Sequence, residues 1–262
     1  MPRNEALSQY GVPNGSIYDA AVHSGSDAYK NGTMPRVGDK RVFEDGREFV
    51  FISSAVDVLA GQVLATATAL ATALTNSCTA AAIGATSVTI TTTGSAFFGG
   101  SAGVIAANRL AGGYLCITDD AGEGYQYRIK SHTAGTASAS VTFTLYDGLV
   151  VALTTASDVF FIGPRYELCV LGTDLLPPVG IAMVAATGGT NTRTEYFWVQ
   201  TKGIAPCYIT TGTSIAIGKQ ISTDASGGVK ITGAATDVMI GVAAATSTTA
   251  TAKLPVLLNI GG

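Results

Sequence analysis

The sequence predicts a mainly β protein, built as antiparallel β-barrel or β-sandwich lobes with an extended N-terminal arm and at most one or two short helices. Three observations predict it. Short alternating or apolar runs rich in Val, Ile, Thr, Tyr and Phe recur along the chain, and such residues fit a pleated, half-buried surface. Gly, Asp and Ser stand between the runs, with 32 glycines in 262 residues and no collagen period. Charged residues make up only 13%, about half the usual quarter. Ser, Thr, Gly and Ala must cover the surface instead, and neighbouring subunits can bury much of it.

Residues 1–39 are polar and broken by turn residues such as Gly11, Pro13, Gly25, Pro35 and Gly38. Tyr10, Tyr18 and Tyr29 are spaced along them. Disordered tails carry few aromatics, so this stretch is read as an arm that orders on a neighbour, its three tyrosines supplying the contacts at a subunit or partner interface. A plain tail is the alternative. The first structured element is a hairpin over Lys40–Ile52. Val42-Phe-Glu and Arg47-Glu-Phe flank Asp45-Gly46, a dipeptide that favours a two-residue type I′ turn. That register sets Val42 opposite Phe49 and Glu44 opposite Arg47.

Val58-Leu-Ala-Gly-Gln-Val-Leu follows and echoes Ile215-Ala-Ile-Gly-Lys-Gln-Ile. The match is short and reads as chance. Val63, Ala67, Leu70 and Leu74 fall at helical spacing, and one short helix is expected there. Residues 86–170 return to strands: Ser87-Val-Thr-Ile-Thr, Gly113-Tyr-Leu-Cys-Ile-Thr, Tyr125-Gln-Tyr-Arg-Ile-Lys, Val141-Thr-Phe-Thr-Leu and Asp158-Val-Phe-Phe-Ile. Val104 to Ala111 suggests one or two helical turns. Pro177-Pro178 reads as a seam, since paired prolines suit neither a helix nor a central strand. The last third, from Tyr196 to Gly262, is strand and turn throughout. The expected division is 1–39 arm, 40–74 first strands of the main β domain, 75–172 an inserted or second lobe, and 173–262 the rest of the main domain.

Charge and motifs argue against several functions. Net charge is −3, and no run of Lys or Arg appears, so a nucleic-acid footprint is not expected. The most apolar stretch, Val58–Leu74, is short for a membrane span and contains Gln62, so no membrane partner is expected either. The four cysteines, Cys78, Cys116, Cys169 and Cys207, are too far apart for paired zinc ligands and read as four buried thiols. His23 and His132 sit in no nucleophile-elbow context. Gly218-Lys219 is followed by Gln220 rather than Ser or Thr, so a phosphate loop fails. Asp119-Asp-Ala-Gly-Glu-Gly is the best metal candidate, by its carboxylates Asp119, Asp120 and Glu123, but a solvated turn is the preferred reading. No catalytic, cofactor or metal site is expected.

With these residues in view, the chain resembles the capsid decoration, or cement, proteins of tailed bacteriophages. Arg47-Glu-Phe-Val-Phe-Ile-Ser-Ser with Val58-Leu-Ala-Gly-Gln-Val-Leu is similar to their opening strands. Ala111 to Lys130 looks like a strand–acidic turn–strand segment of phage structural proteins. Asp237-Val-Met-Ile-Gly-Val-Ala with Leu254-Pro-Val-Leu-Leu-Asn-Ile is similar to their closing strands. The resemblance implies a non-enzymatic virion protein, made in the host cytoplasm. It would bind the major capsid protein on the outer capsid surface and stabilise the shell, as a homotrimer at local three-fold positions. It implies no catalytic residues and no cofactor. A head fibre, a tail component, or a receptor- or carbohydrate-binding β module of the virion is the alternative.

Overall fold

The computed structural model describes residues 35, 37–54, 56–66, 73–74, 78–91, 105–135, 140–186, 195–209, 214–235, 237–247 and 253–260. They form strands and turns only. In chain order these are β1 (Lys40–Val42), β2 (Glu48–Ser54), β3 (Val63–Ala65), β4 (Ala73–Leu74), β5 (Ser87–Thr91), β6 (Tyr114–Asp119), β7 (Gln126–His132) and β8 (Ser140–Leu145). There follow β9 (Asp158–Ile162), β10 (Val170–Leu171), β11 (Pro178–Ala182), β12 (Glu195–Tyr208), β13 (Gln220–Thr223), β14 (Val229–Ile231), β15 (Met239–Ala243) and β16 (Lys253–Asn259). The fold is mainly β, with antiparallel strand pairing throughout the ladders.

Of the two expected helices, the one at 104–111 is absent among the described residues, and the one at 65–73 falls mostly outside them. Val63–Ala65 and Ala73–Leu74 are strands, and residues 67–72 lie outside the described set. β-branched Val63 and its neighbours gain more from sheet pairing than their helical spacing suggests. At 105–112 the chain makes a bridge and turns rather than a helix.

The chain divides into two compact units. Unit 1 comprises residues 1–67 and 166–262, and unit 2 comprises 68–165. Residues 166–172, expected in the inserted lobe, therefore belong with unit 1. Their backbone explains why: Ser53 N–H bonds to Tyr166 O at 3.0 Å, Cys169 N–H bonds to Ser53 O at 2.7 Å, and Val170 pairs with Ala65. Pro178 is no seam. It opens β11 inside the unit 1 sheet, the first-residue position where a strand tolerates proline. The expected arm also ends earlier than 39, because Gly38 and Asp39 already bond to Phe51.

The Lys40–Ile52 hairpin forms, but not in the expected register. Lys40 pairs with Val50, Arg41 with Phe49 and Val42 with Glu48. Phe43 O accepts from Gly46 N–H, and Phe43 N–H bonds to Arg47 O, so Glu44-Asp45-Gly46 is a three-residue loop. Gly46 has φ +81 while Asp45 is not left-handed. A type I′ turn needs both; this is a type I turn with a glycine bulge. One extra loop residue shifts every pair. Val42 faces solvent, Phe43 packs edge-on to Phe49 at 5.2 Å, and Arg47 pairs with Asp45 at 2.6 Å rather than with Glu44.

Unit 1 is one ten-stranded sheet in the order β10-β3-β11-β12-β16-β15-β13-β14, with β2 on β12 and β1 on β2. That order is an internal duplication. The first repeat is β2, β3, β10, β11 and the first half of β12. The second is the other half of β12, then β13, β14, β15 and β16. Val63 pairs with Ile181 and Leu64 with Gly180, and a bulge then leads to Ala65 opposite Pro178. Gln220 pairs with Val242 and Ile221 with Gly241, and the same bulge leads to Ser222 opposite Met239. Ala182 opposite Val199 corresponds to Ala243 opposite Val256. The echo set aside as chance is therefore real. Val58 exchanges bonds with Ala186 as Ile215 does with Ser247, and Gly61 N–H bonds to Ala182 O as Gly218 N–H does to Ala243 O.

The two cores match position by position. Val50, Ile52, Val58, Leu64, Cys169, Val179, Ala182, Phe197 and Val199 cluster in the first repeat. Ala205, Cys207, Ile215, Ile221, Val229, Ile240, Ala243, Leu254 and Val256 take those places in the second. Gly180 and Gly241 are glycines for one reason. A Cβ at Gly180 would stand 2.6 Å from Val199 Cγ2, and at Gly241 it would meet the Leu257 carbonyl. The repeats differ at one hairpin. β13 and β14 are joined by a tight turn in which Asp224 Oδ1 accepts from Ser226 and Gly228 N–H. The equivalent β3–β10 connection contains unit 2.

Unit 2 is a six-stranded sheet in the order β4-β9-β6-β7-β8-β5. Alternation along β8 and along β7 as far as Lys130, where a bulge breaks it, sends Tyr127, Ile129, Val141, Phe143 and Leu145 into its core. Phe143 stacks on Phe161 at 4.7 Å. Thr89–Thr142 and Thr91–Ser140 hydroxyl pairs line the other face.

Candidate functional site

The polar cluster with the clearest geometry lines a cleft of about 520 Å³ in unit 1. Its first wall is the β10–β11 connection of the first repeat, with Thr173, Asp174 and Leu175. Its second is β14 and the β14–β15 connection of the second repeat, with Lys230 and Asp237. Lys230 Nζ reaches Asp174 Oδ2 at 2.9 Å and Asp237 Oδ1 at 3.2 Å. The Asp237 side chain is only 3% exposed. Its other oxygen accepts from Gly233 N–H at 2.8 Å and Ala234 N–H at 3.1 Å.

Those backbone bonds, with Lys230 behind them, hold the Asp237 carboxyl down at about 2. Hydrogen bonding to Asp174 and Asp237 raises Lys230 above its ordinary value. A general acid or base works best with a pKa near the operating pH. Here each group is driven further into its charged state. The trio therefore has the chemistry of a clamp that ties equivalent loops of the two repeats together.

The expected contact residues Tyr10, Tyr18 and Tyr29 lie outside the described residues. Among the described residues no three His, Cys, Asp or Glu side chains gather into a metal-sized group. In the acidic turn, Asp120 Oδ2 instead accepts from Thr154 Oγ1 at 2.7 Å, and Asp119 Oδ1 accepts from Asp120 N–H. His132 is buried at the end of β7. Its Nε2 accepts from Leu110 N–H at 2.9 Å, so the proton sits on Nδ1, which donates to Thr133 O at 2.8 Å. Burial lowers its pKa. Trp198 is buried beneath Arg41, whose guanidinium lies 4.4 Å from the ring centre.

None of the four cysteines is disulfide-bonded. Cys116 is only half-buried, because it lies on the outward side of β6, so the expectation of four buried thiols holds for three. Burial, with Asp158 nearby, pushes Cys78 up to about 11. Burial lifts Cys207 to about 12, against the opposing charge of Lys253. Thiols so raised are poor nucleophiles.

Two apolar features escaped the sequence reading. In the equivalent turns 58–62 and 215–219, Leu59 and Ile217 stand 54% and 64% exposed. On the sheet, Ile204 of β12, Leu257 of β16 and Val242 of β15 are direct cross-strand neighbours and form an exposed row. Pro206 and Pro255, opposite each other, form the next. Val256-Leu-Leu reads in sequence as a continuous apolar run, and only the alternation along Lys253–Asn259 assigns Leu257 outward. No family model, curated protein or solved structure matches this chain.

Proposed function

We propose that this protein is a non-enzymatic structural subunit that docks on the outside of an assembled phage shell and stabilises it. The resemblance of its strand segments to capsid decoration proteins supplies the setting. The observation that carries docking is the pair of exposed apolar tips, Leu59 and Ile217, on equivalent turns of a duplicated scaffold. The two tips sit one position apart in the repeat alignment, Leu59 matching Ala216 and Ile217 matching Ala60, and two apolar anchors on one scaffold raise overall affinity through effective concentration when both engage. A ligand that binds only the intact lattice raises its resistance to heat. The tips themselves are apolar, with Asp57 and Lys219 the charges nearest in sequence, and contacts made by the tips should survive moderate salt.

The test uses purified particles stripped of the protein and reconstituted with it. Genome release should shift to higher temperature on reconstitution. A Leu59→Asp, Ile217→Asp double variant should lose most binding while keeping its own melting temperature. Identical release temperatures with and without the protein would reject the stabilising role.

One observation favours a receptor- or carbohydrate-binding reading for unit 2. The exposed tyrosines among the described residues, Tyr114, Tyr125 and Tyr146, all lie there. Arg128 stacks over Tyr146 at 5.1 Å. Glycan-array binding lost in Tyr114→Ala would support that reading.

A further inference from the structure

We infer that the uncovered sheet face of the second repeat, formed by Val242, Leu257 and Ile204, is where a second copy of this chain docks. The duplication itself shows what belongs on such a face. In the first repeat the equivalent positions are Ile181, Gln200 and Phe49, and all three are fully buried. Ile181 and its partner Val63 lie within the core cluster of the second repeat, with Ala205, Cys207 and Leu258. Phe49 lies against Phe43 of its own hairpin. Gln200 between them is satisfied by its own strand, its Nε2 donating to Lys202 O and Ile204 O, so within one molecule the two outer positions of this face, Ile181 and Phe49, are covered by apolar side chains of the same chain.

In the second repeat the face is open: Val242 is 37% exposed, Leu257 53% and Ile204 59%. Pro206 and Pro255 extend it by one row. Contiguous apolar rows of this kind mark interaction surfaces, and two such sheet faces pack at about 10 Å. A self-complementary patch pairs by a two-fold axis.

Charge selects the direction of pairing. One end of the face carries Lys253, set over Tyr208. The other carries Lys202, which is bonded to Glu48 at 3.0 Å. Antiparallel apposition centred near Leu257 brings each Lys253 toward a Lys202–Glu48 pair. Parallel apposition would set Lys253 against Lys253. The contact is therefore a two-fold dimer with β16 antiparallel to its partner copy.

Sedimentation of the full chain, without capsids, tests this independently of shell binding. The expected mass is about twice 26.5 kDa. It should fall to one chain in the Leu257→Asp, Ile204→Asp double variant, with the melting temperature unchanged. Val242→Lys should weaken the dimer by at least tenfold in dissociation constant and guards against misfolding of the double variant. A monomer at about 100 μM, or an oligomer whose mass the double variant leaves unchanged, overturns the inference.

Discussion

Asp237 and Lys230 hold each other in the charged state, and this makes the clamp between the repeats sensitive to pH. Asp237 titrates at about 2 in the folded chain, against an ordinary 3.8. A carboxylate depressed by folding contributes stability that is complete above its unfolded value and is lost as pH falls toward the folded one. Lys230 is raised above 10.5, so its contribution is complete below that value and is lost as pH climbs through the raised one. Asp237→Asn should therefore lower the melting temperature at neutral pH and make little difference near pH 2. A variant that melts with the parent at pH 7 would show that the clamp bears no load. His132 behaves in the opposite pH range. Its folded pKa lies below the ordinary 6.5 because burial penalises the charged imidazolium, against the opposing bond to Thr133 O. Stability from this group is complete above about 6.5 and declines as the solution becomes more acidic. Thermal melts from pH 7.5 to 5 should show that slope, and His132→Gln should flatten it.

At the scale of elements, the Lys40–Ile52 hairpin shows how much of the fold was readable. Asp45-Gly46 marked the turn, and alternation marked both arms. The register was not readable, because two- and three-residue loops share that dipeptide and differ only in whether Asp45 turns left-handed. Gly46 has positive φ in either case, so Gly46→Val should cost about 1–2 kcal/mol, the penalty of left-handed backbone for an L side chain. Calorimetry should detect it, and Gly46→Asn should be milder. Most strands of unit 2 were legible because their period-two pattern separates core from solvent. The duplication was nearly invisible. Val58 and Ile215, or Ala186 and Ser247, are equivalent through backbone hydrogen bonds rather than identity, and an inserted unit separates the matching segments of the first repeat. The clamp was also illegible, since Asp174 and Lys230 meet only through sheet order. So was the open face, because a run such as Val256-Leu-Leu does not announce which leucine points outward.

For the whole molecule, the second repeat indicates what the first would be without its insertion. Its β13–β14 hairpin is closed by Asp224 to Gly228, where unit 1 otherwise carries unit 2. Replacing residues 68–165 with a short turn, so that Tyr166 and Cys169 keep their bonds to Ser53, should yield a chain that folds as unit 1 alone. Circular dichroism should report cooperative melting of a β protein. A molten, dye-binding product would mean that the scaffold depends on its insertion.

The same hairpin decides how a mechanical load would travel. The chain enters unit 2 after Ala65 and returns through Tyr166 and Cys169, both bonded to Ser53, to Val170, which sits opposite Ala65 across one rung. Tension drawn through unit 2 would peel β3 from β10 rung by rung, breaking one bond at a time. Tension drawn along β12, paired over many residues with β2 and β16, must shear many bonds at once. In a force experiment β3 and β10 should separate long before the shared strand yields.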